Sequence, residues 1–248
     1  MATRGAPIAL FAHRGNSSEA PENTSAAFRL ALDAGADGVE FDVQLSRDRV
    51  PVVIHDETLE RTTDGTGLVT ERSLAELKAL DAGAWKGHAF AGERIPTLEE
   101  TLVLFRDSDI LVNIELKTSE ILYEGLAKAS ARLVKAMGMA RRVVISSFNH
   151  HSLLESAREA PEIARAPLLY AHLVEPWRYV RANGFQALHV ERHACTEALV
   201  RGCRAAGIPL RAYTVNAEEA FRHLAALGVD GVFTDRPRML ALARGSAP

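Results

Sequence analysis

What most constrains the fold is a unit that recurs along the chain: a short apolar strand, a helix, and a glycine or tight turn that closes it. Residues 8–12 read as a strand, and residues 24–34 as a helix ended by Gly35. Residues 38–43 form a second strand, which returns as a hairpin arm over 50–54. Residues 110–116 form a third, followed by a helix whose face carries Leu122, Leu126, Leu133 and Met137 and which ends at Gly138. Further strands fall at 143–147, 167–170, 187–190, 210–214 and 231–234, with helices starting near Asn149, Glu175, Thr196 and Asn216. Gly207 and Gly228 occupy helix C-cap positions. Ser73 and Thr97, each with a glutamate three residues on, fit the capping box and start two more helices. Counting the hairpin arm with its strand leaves eight strand-then-helix units in 248 residues. That number favours a (β/α)8 TIM barrel over a doubly wound open sheet. No linker rich in Pro, Ser or Gly divides the chain, so one domain is expected over 1–248, with a short insertion after the second strand at about 58–96.

The second strand is apolar except for Glu40 and Asp42. Side chains alternate along a strand, so these two share a face while Val39, Phe41 and Val43 take the other. The hairpin arm then delivers His55 and Asp56. In a barrel the site lies at the C-terminal strand ends, where the first strand offers His13, Arg14 and Gly15 and the third Glu115 and Lys117. Later strands end in Ser147, His172, Glu191, Tyr213 and Asp235. Charge is densest on the first three units.

Two carboxylates about 4 Å apart repel by about 4 kcal/mol at an effective dielectric of about 20, and three repel more. Such a cluster needs protonation, cationic partners or a metal. Glu40, Asp42 and Glu115 offer an all-oxygen set, which suits Mg²⁺ or Ca²⁺ over zinc; a salt-bridge network with Arg14 and Lys117 is the alternative. His13 and His55, at the ends of sequential strands, can divide acid and base duties near neutral pH. Arg14 supplies a planar fork for phosphate oxygens. Together these needs match phosphodiester cleavage.

Other features narrow the class. A net charge of −3 with scattered arginines argues against nucleic acid or an anionic membrane as partner. The apolar stretch at 7–12 is too short for a signal peptide, and nothing approaches a membrane span, so no stable membrane insertion is expected. Cys195 and Cys203, eight apart in a predicted helix, would lie roughly 12 Å apart, beyond disulfide reach. Two reduced thiols suggest a cytoplasmic protein. No glycine-rich phosphate loop, nucleophile elbow or zinc-type Cys/His set is present. In the insertion, Trp85 and Phe90 could cap a pocket or simply pack the segment onto the barrel.

The motifs form a set: His13-Arg14-Gly15, Pro21-Glu22-Asn23-Thr24, residues 38–43 and 51–56, Arg61-Thr62-Thr63, residues 95–98 and 114–117, Ser146-Ser147-Phe148, Thr214-Val215-Asn216, and residues 228–231 with Thr234-Asp235. In this order, over nearly the whole chain, they resemble the glycerophosphodiester phosphodiesterase family, of the superfamily that holds phosphatidylinositol-type phospholipases C. The resemblance implies a TIM barrel in which Glu40, Asp42 and Glu115 hold Mg²⁺ or Ca²⁺. It also implies His13 and His55 as the acid–base pair, with Arg14 and Lys117 near the phosphate. Tyr213 stands where the family usually has tryptophan and would form an aromatic wall of the substrate site. The implied reaction converts a glycerophosphodiester and water to sn-glycerol 3-phosphate and an alcohol. The alternatives are a lysophospholipid or other phosphodiester as substrate, or a non-catalytic barrel that binds a phosphate ligand.

Overall fold

The computed structural model describes residues 8–245. In chain order the strands are β1 (Ala9–His13), β2 (Gly38–Leu45), β3 (Pro51–Val53), β4 (Leu111–Leu116), β5 (Val143–Ser147), β6 (Ala164–Leu169), β7 (Leu188–Glu191), β8 (Leu210–Tyr213) and β9 (Gly231–Thr234). Around the ring they run β1, β9, β8, β7, β6, β5, β4, β2, and β2 pairs back with β1. Every pairing in the ring is parallel. The result is a closed (β/α)8 barrel, as the unit count implies.

The helices are α1 (Ser25–Asp33), α2 (Leu74–Ala79), α3 (Leu98–Phe105), α4 (Leu126–Ala136), α5 (His150–Glu159), α6 (Pro176–Ala182), α7 (Glu197–Ala206), α8 (Glu218–Leu227) and α9 (Pro237–Gly245). Thr24 caps α1, and the capping boxes of Ser73 and Thr97 form at α2 and α3. Gly207 and Gly228 end α7 and α8 in the left-handed conformation. One boundary differs from expectation. The apolar period led back to Leu122, but α4 begins at Leu126, after Gly125 at φ +80°, and Leu122 is exposed in the preceding loop. A periodic leucine is no signal of helix when the backbone turns left-handed three residues later.

β2 explains how the site is raised above the ring. β1 pairs only with Gly38, Val39 and Glu40, so β2 runs on past its neighbour. β3 takes the vacated edge, antiparallel, with Val53 opposite Val43. On the outer face of β2, Val39, Phe41 and Val43 belong to the main core with Leu98, Leu102 and Phe105. Phe28 wedges between Phe41 and Phe105, its ring centroid 5.6 Å and 5.7 Å from theirs. The insertion has a smaller core of its own, in which Leu59, Val69, Leu77 and Ile95 meet Val52 and Ile54.

Inside the barrel, below the rim, Phe11 meets Phe233 at 5.1 Å, and Arg211 lies over Phe11 at 4.9 Å. Gly38 is the cross-strand neighbour of Phe11 and must lack a side chain, because a Cβ there would sit 2.3 Å from the ring. Gly38→Ala is therefore expected to destabilise the protein by about 1–3 kcal/mol through overpacking, and Phe11→Leu in the same chain to recover part of it. Urea unfolding of the single and double variants checks this; an unchanged midpoint for Gly38→Ala would contradict the packing.

Candidate active site

The inward face of β2 carries Glu40, Asp42 and Gln44, all buried. In register, Glu40 lies beside His13 of β1, and Asp42 beside Glu115 of β4. One carboxylate oxygen from each of Glu40, Asp42 and Glu115 lies within 4.8 Å of the others. Gln44 does a different job. Its Nε2 donates to the backbone carbonyls of His55 and Asp56 at 2.8 Å and 2.6 Å, and its Oε1 accepts from the Tyr123 hydroxyl at 2.6 Å. The same strand face that gathers the acids thus fixes the segment bearing His55.

Cations surround the acids. Arg14, at φ +56°, turns its backbone N–H onto Glu40 Oε2 at 2.9 Å and its Nε to 3.3 Å from Asp42 Oδ2. Gly15 completes that turn at φ +80°, with no room for a side chain against Ala27. Lys117 Nζ lies 3.1 Å from Glu115 Oε1 and 4.0 Å from Asp42 Oδ1. Asn23 Nδ2 donates to Asp42 Oδ2 at 2.9 Å. Burial alone would raise the Asp42 pKa, but its electrostatic interactions with His55, Arg14 and Lys117 hold it well below the usual carboxylate range. Glu40 moves the other way: burial, then the charges of Asp42 and Glu115, push its pKa well up. Lys117 stays protonated despite burial, its pKa raised by Glu115 and Asp42.

Each histidine is held at Nδ1 by a carboxylate. His13 Nδ1 is 2.6 Å from Asp235 Oδ1, and His55 Nδ1 is 2.6 Å from Asp56 Oδ1. A carboxylate at Nδ1 fixes the tautomer with the proton there, so both Nε2 atoms are left for other partners. His13 Nε2 lies 4.0 Å from Glu40 Oε2, and Lys117 Nζ lies 3.2 Å from His55 Nε2. Arg61 binds Asp56 through Nε and Nη2 and clasps Glu22 with both of its Nη atoms at 2.8 Å. Glu22 also accepts from Arg14 at 2.8 Å. Asn216 Oδ1 accepts the backbone N–H of Asp235, while its Nδ2 and the Ser17 hydroxyl donate to the carboxylate.

The residues open into a cavity of about 200 Å³. His13, Arg14, Glu40, His55, Glu115, Lys117 and Tyr213 all line it, while Asp42 is 1% exposed and does not. Phe148, Leu168, Tyr170 and Tyr213 give the cavity an aromatic and apolar wall, and Phe233 of β9 also lines it. Tyr213 stands edge-on to Phe148 at 5.9 Å and donates its hydroxyl to the Leu169 carbonyl at 2.8 Å. The hydroxyl that distinguishes it from a tryptophan is thereby engaged with backbone. Trp85 and Phe90 are not in this wall; Trp85 is exposed and donates its Nε1–H to the Ala82 carbonyl. His172 and Glu191 also stand apart, His172 in the loop after β6 and Glu191 bonded to the His193 backbone.

The cluster suits a hard divalent cation. Glu40 Oε1 is buried with no hydrogen-bond partner among the described residues, and a buried carboxylate oxygen without a partner calls for a positive charge. Three oxygens within 4.8 Å of one another, mixed with two cationic side chains, match the ligand chemistry of Mg²⁺ or Ca²⁺.

The profile of the glycerophosphoryl diester phosphodiesterase family matches residues 13–239. The chain belongs to that family. As a member it is a glycerophosphodiester phosphodiesterase. A protein of that name from Caldanaerobacter subterraneus subsp. tengcongensis is 45% identical over 231 residues, 93% of this chain and 95% of the relative. Among solved structures, a phosphodiesterase of Oleispira antarctica in complex with the product sn-glycerol-3-phosphate is similar at TM-score 0.87 and 36% identity, covering 97% of this chain and 98% of that one. A glycerophosphodiester phosphodiesterase of Agrobacterium tumefaciens gives 0.84 at 33%, over 95% and 99%.

Several residues that shape this family member's site carried no assigned role in the sequence reading: Glu22, Asn23, Asp56, Arg61, Asn216 and Asp235. Their signal was polarity in motifs next to strand ends; Asp56 finds His55 and Arg61 close by in sequence, while Asp235 reaches His13 and Glu22 reaches Arg61 over long separations. Asp235 yields a prediction. Against burial, the His13 hydrogen bond holds its pKa down, from 3.8 to about 2. A depressed acid stabilises above its unfolded pKa and loses that contribution as pH falls through the folded value. The expected loss is about 2 kcal/mol between pH 4 and pH 2, absent in Asp235→Asn. Chemical unfolding of both proteins across that window measures it, and parallel pH curves would refute the pairing.

Proposed function

We propose that the chain hydrolyses glycerophosphodiesters to sn-glycerol 3-phosphate and an alcohol, with His13 and His55 as the acid–base pair and a divalent cation, Mg²⁺ or Ca²⁺, on Glu40, Asp42 and Glu115. The observation that carries this reading is the pairing of two imidazoles, each anchored at Nδ1 by a carboxylate, on the same cavity as Glu40 and Glu115, which gather with buried Asp42. When bound, the cation would neutralise charge on the phosphate and act as a Lewis acid.

The protein's own groups account for the rest. Arg14 and Lys117, both lining the cavity, bind the non-bridging phosphate oxygens. One Nε2 takes a proton from the attacking oxygen, of water or of a substrate hydroxyl whose cyclic phosphate water then opens, and the other delivers a proton to the departing alkoxide oxygen as its bond to phosphorus breaks. Asp235 and Asp56 keep each ring oriented for this and stabilise the imidazolium when it forms. The aromatic wall with Tyr213 packs against the alcohol side of the diester and excludes water from it. That apolar wall, continued outward by exposed Phe148 and Tyr170, also favours a second reading in which the alcohol bears an acyl chain, as in a lysophospholipid. Both cysteines are unpaired and buried, which supports a reducing, cytoplasmic setting; among the described residues no helix is long and apolar enough to cross a membrane. We read residues 1–248 as one domain with an insertion at about 58–96.

Glycerol 3-phosphate release from glycerophosphocholine, glycerophosphoethanolamine and lysophosphatidylcholine tests the reading. Chelation is expected to abolish turnover and either Mg²⁺ or Ca²⁺ to restore it. His13→Ala and His55→Ala should each lower kcat by about 10²–10⁴-fold while circular dichroism shows the fold retained. Full activity in either variant, or after exhaustive chelation, would sink the mechanism.

A further inference from the structure

Asn113 lies on β4 two residues before Glu115, on the same inward face, and directly opposite Glu40 in register. Its side chain is 2% exposed and lines the cavity with Glu40 and Glu115. Nδ2 donates to the buried Ser146 hydroxyl of β5 at 2.9 Å, which sets the rotation of the amide. Oδ1 is then buried with no hydrogen-bond partner among the described residues, as is Glu40 Oε1 across the strand pair. An unpaired buried acceptor costs about 1–3 kcal/mol, so two on adjacent strands of one cavity mark a shared missing partner. That partner must be positive or a donor.

We propose that Asn113 Oδ1 is a fourth protein ligand of the divalent cation. The inference rests on the cation reading of Glu40, Asp42 and Glu115. An amide carbonyl is a hard oxygen of the kind Mg²⁺ and Ca²⁺ accept. It also adds a ligand without charge, where a fourth carboxylate would add repulsion to a cluster in which three acids already face only two cations. Ser146 acts behind it as a positioning residue, keeping the oxygen turned toward the acids.

The test is calorimetric and needs no turnover. Chelator-treated full-length wild type, Asn113→Ala and Asn113→Asp are titrated with Mg²⁺ and with Ca²⁺, and circular dichroism melts confirm that each is folded. Asn113→Ala is expected to weaken the cation by tenfold or more, within the range of about 10–100-fold typical of losing a group that supports a metal site. Asn113→Asp keeps one oxygen toward the cavity and one toward the Ser146 hydroxyl, so it should bind as tightly as wild type or more tightly. If alanine leaves a cavity that unfolds the barrel, Asn113→Leu, close in shape and without the oxygen, replaces it with the same expected loss. Wild-type affinity in the alanine or leucine variant overturns the proposal. So does a loss of binding in Asn113→Asp equal to that in Asn113→Ala, the result expected if the amide instead turned Nδ2 toward Glu40. A wild-type chain that binds neither cation overturns the cation reading together with this one.

Discussion

Three carboxylates gathered within 4.8 Å and largely shielded from water set a charge problem that the surrounding chain is built to answer. At an effective dielectric of about 20, each pair near 4 Å repels by about 4 kcal/mol, comparable to the whole stability of a marginal domain. Arg14, Lys117 and Asn23 offset part of this at Asp42, whose pKa is held low. They do not reach all of it, since Glu40 is left with its pKa pushed well up and one oxygen unpartnered. The asymmetry is informative. A network evolved only for stability would pair Glu40 as fully as Asp42; one that leaves an oxygen bare toward a cavity is arranged for something that enters it.

The fold makes this arrangement possible through β2. Because that strand outruns β1, its polar face continues above the ring, and β3 closes the exposed edge. One alternating strand therefore supplies two acids through Glu40 and Asp42, and through Gln44 holds the backbone that carries His55. The outer face of the same strand is locked by Phe28, Leu98 and Phe105. Packing on one side and chemistry on the other are thus coupled, since any slip of register by one residue would exchange them.

The architecture was legible because it rests on local signals. Alternation announced the polar face of β2, capping boxes marked α2 and α3, and glycines ended α7 and α8. Local signals also misled where tertiary geometry took over. Leu122 fits a helical period yet lies in a loop, and Cys195, expected within a helix, precedes α7. The gathering of His13 and the three acids followed from their places at the C-terminal ends of neighbouring barrel strands, which must converge, while His55 is brought in by the hairpin arm β3. What strand order could not supply was the support: Asp235 reaches His13 across 222 positions, and Arg61 reaches Glu22 across 39. Such pairs have no local pattern, so only the family motifs hinted at them.

The Arg61 pairings illustrate how magnitude decides function. Its side chain is 45% exposed, and ion pairs of that kind contribute about 0–1 kcal/mol to stability. Stability is thus a weak reason for an arginine to bind Asp56 and Glu22 at once. Geometry is a better one. From His55 the contacts run to Asp56, Arg61, Glu22, Arg14 and Asp42, each member lying between partners of opposite sign. The chain of contacts ties the ring plane of one candidate acid–base group to the cationic fork over the acids. A planar guanidinium gripping two carboxylates at once transmits orientation in a way that a flexible ammonium cannot. The weakest ion pairs in the site are in this sense among the most constraining, because they set directions where they add little energy.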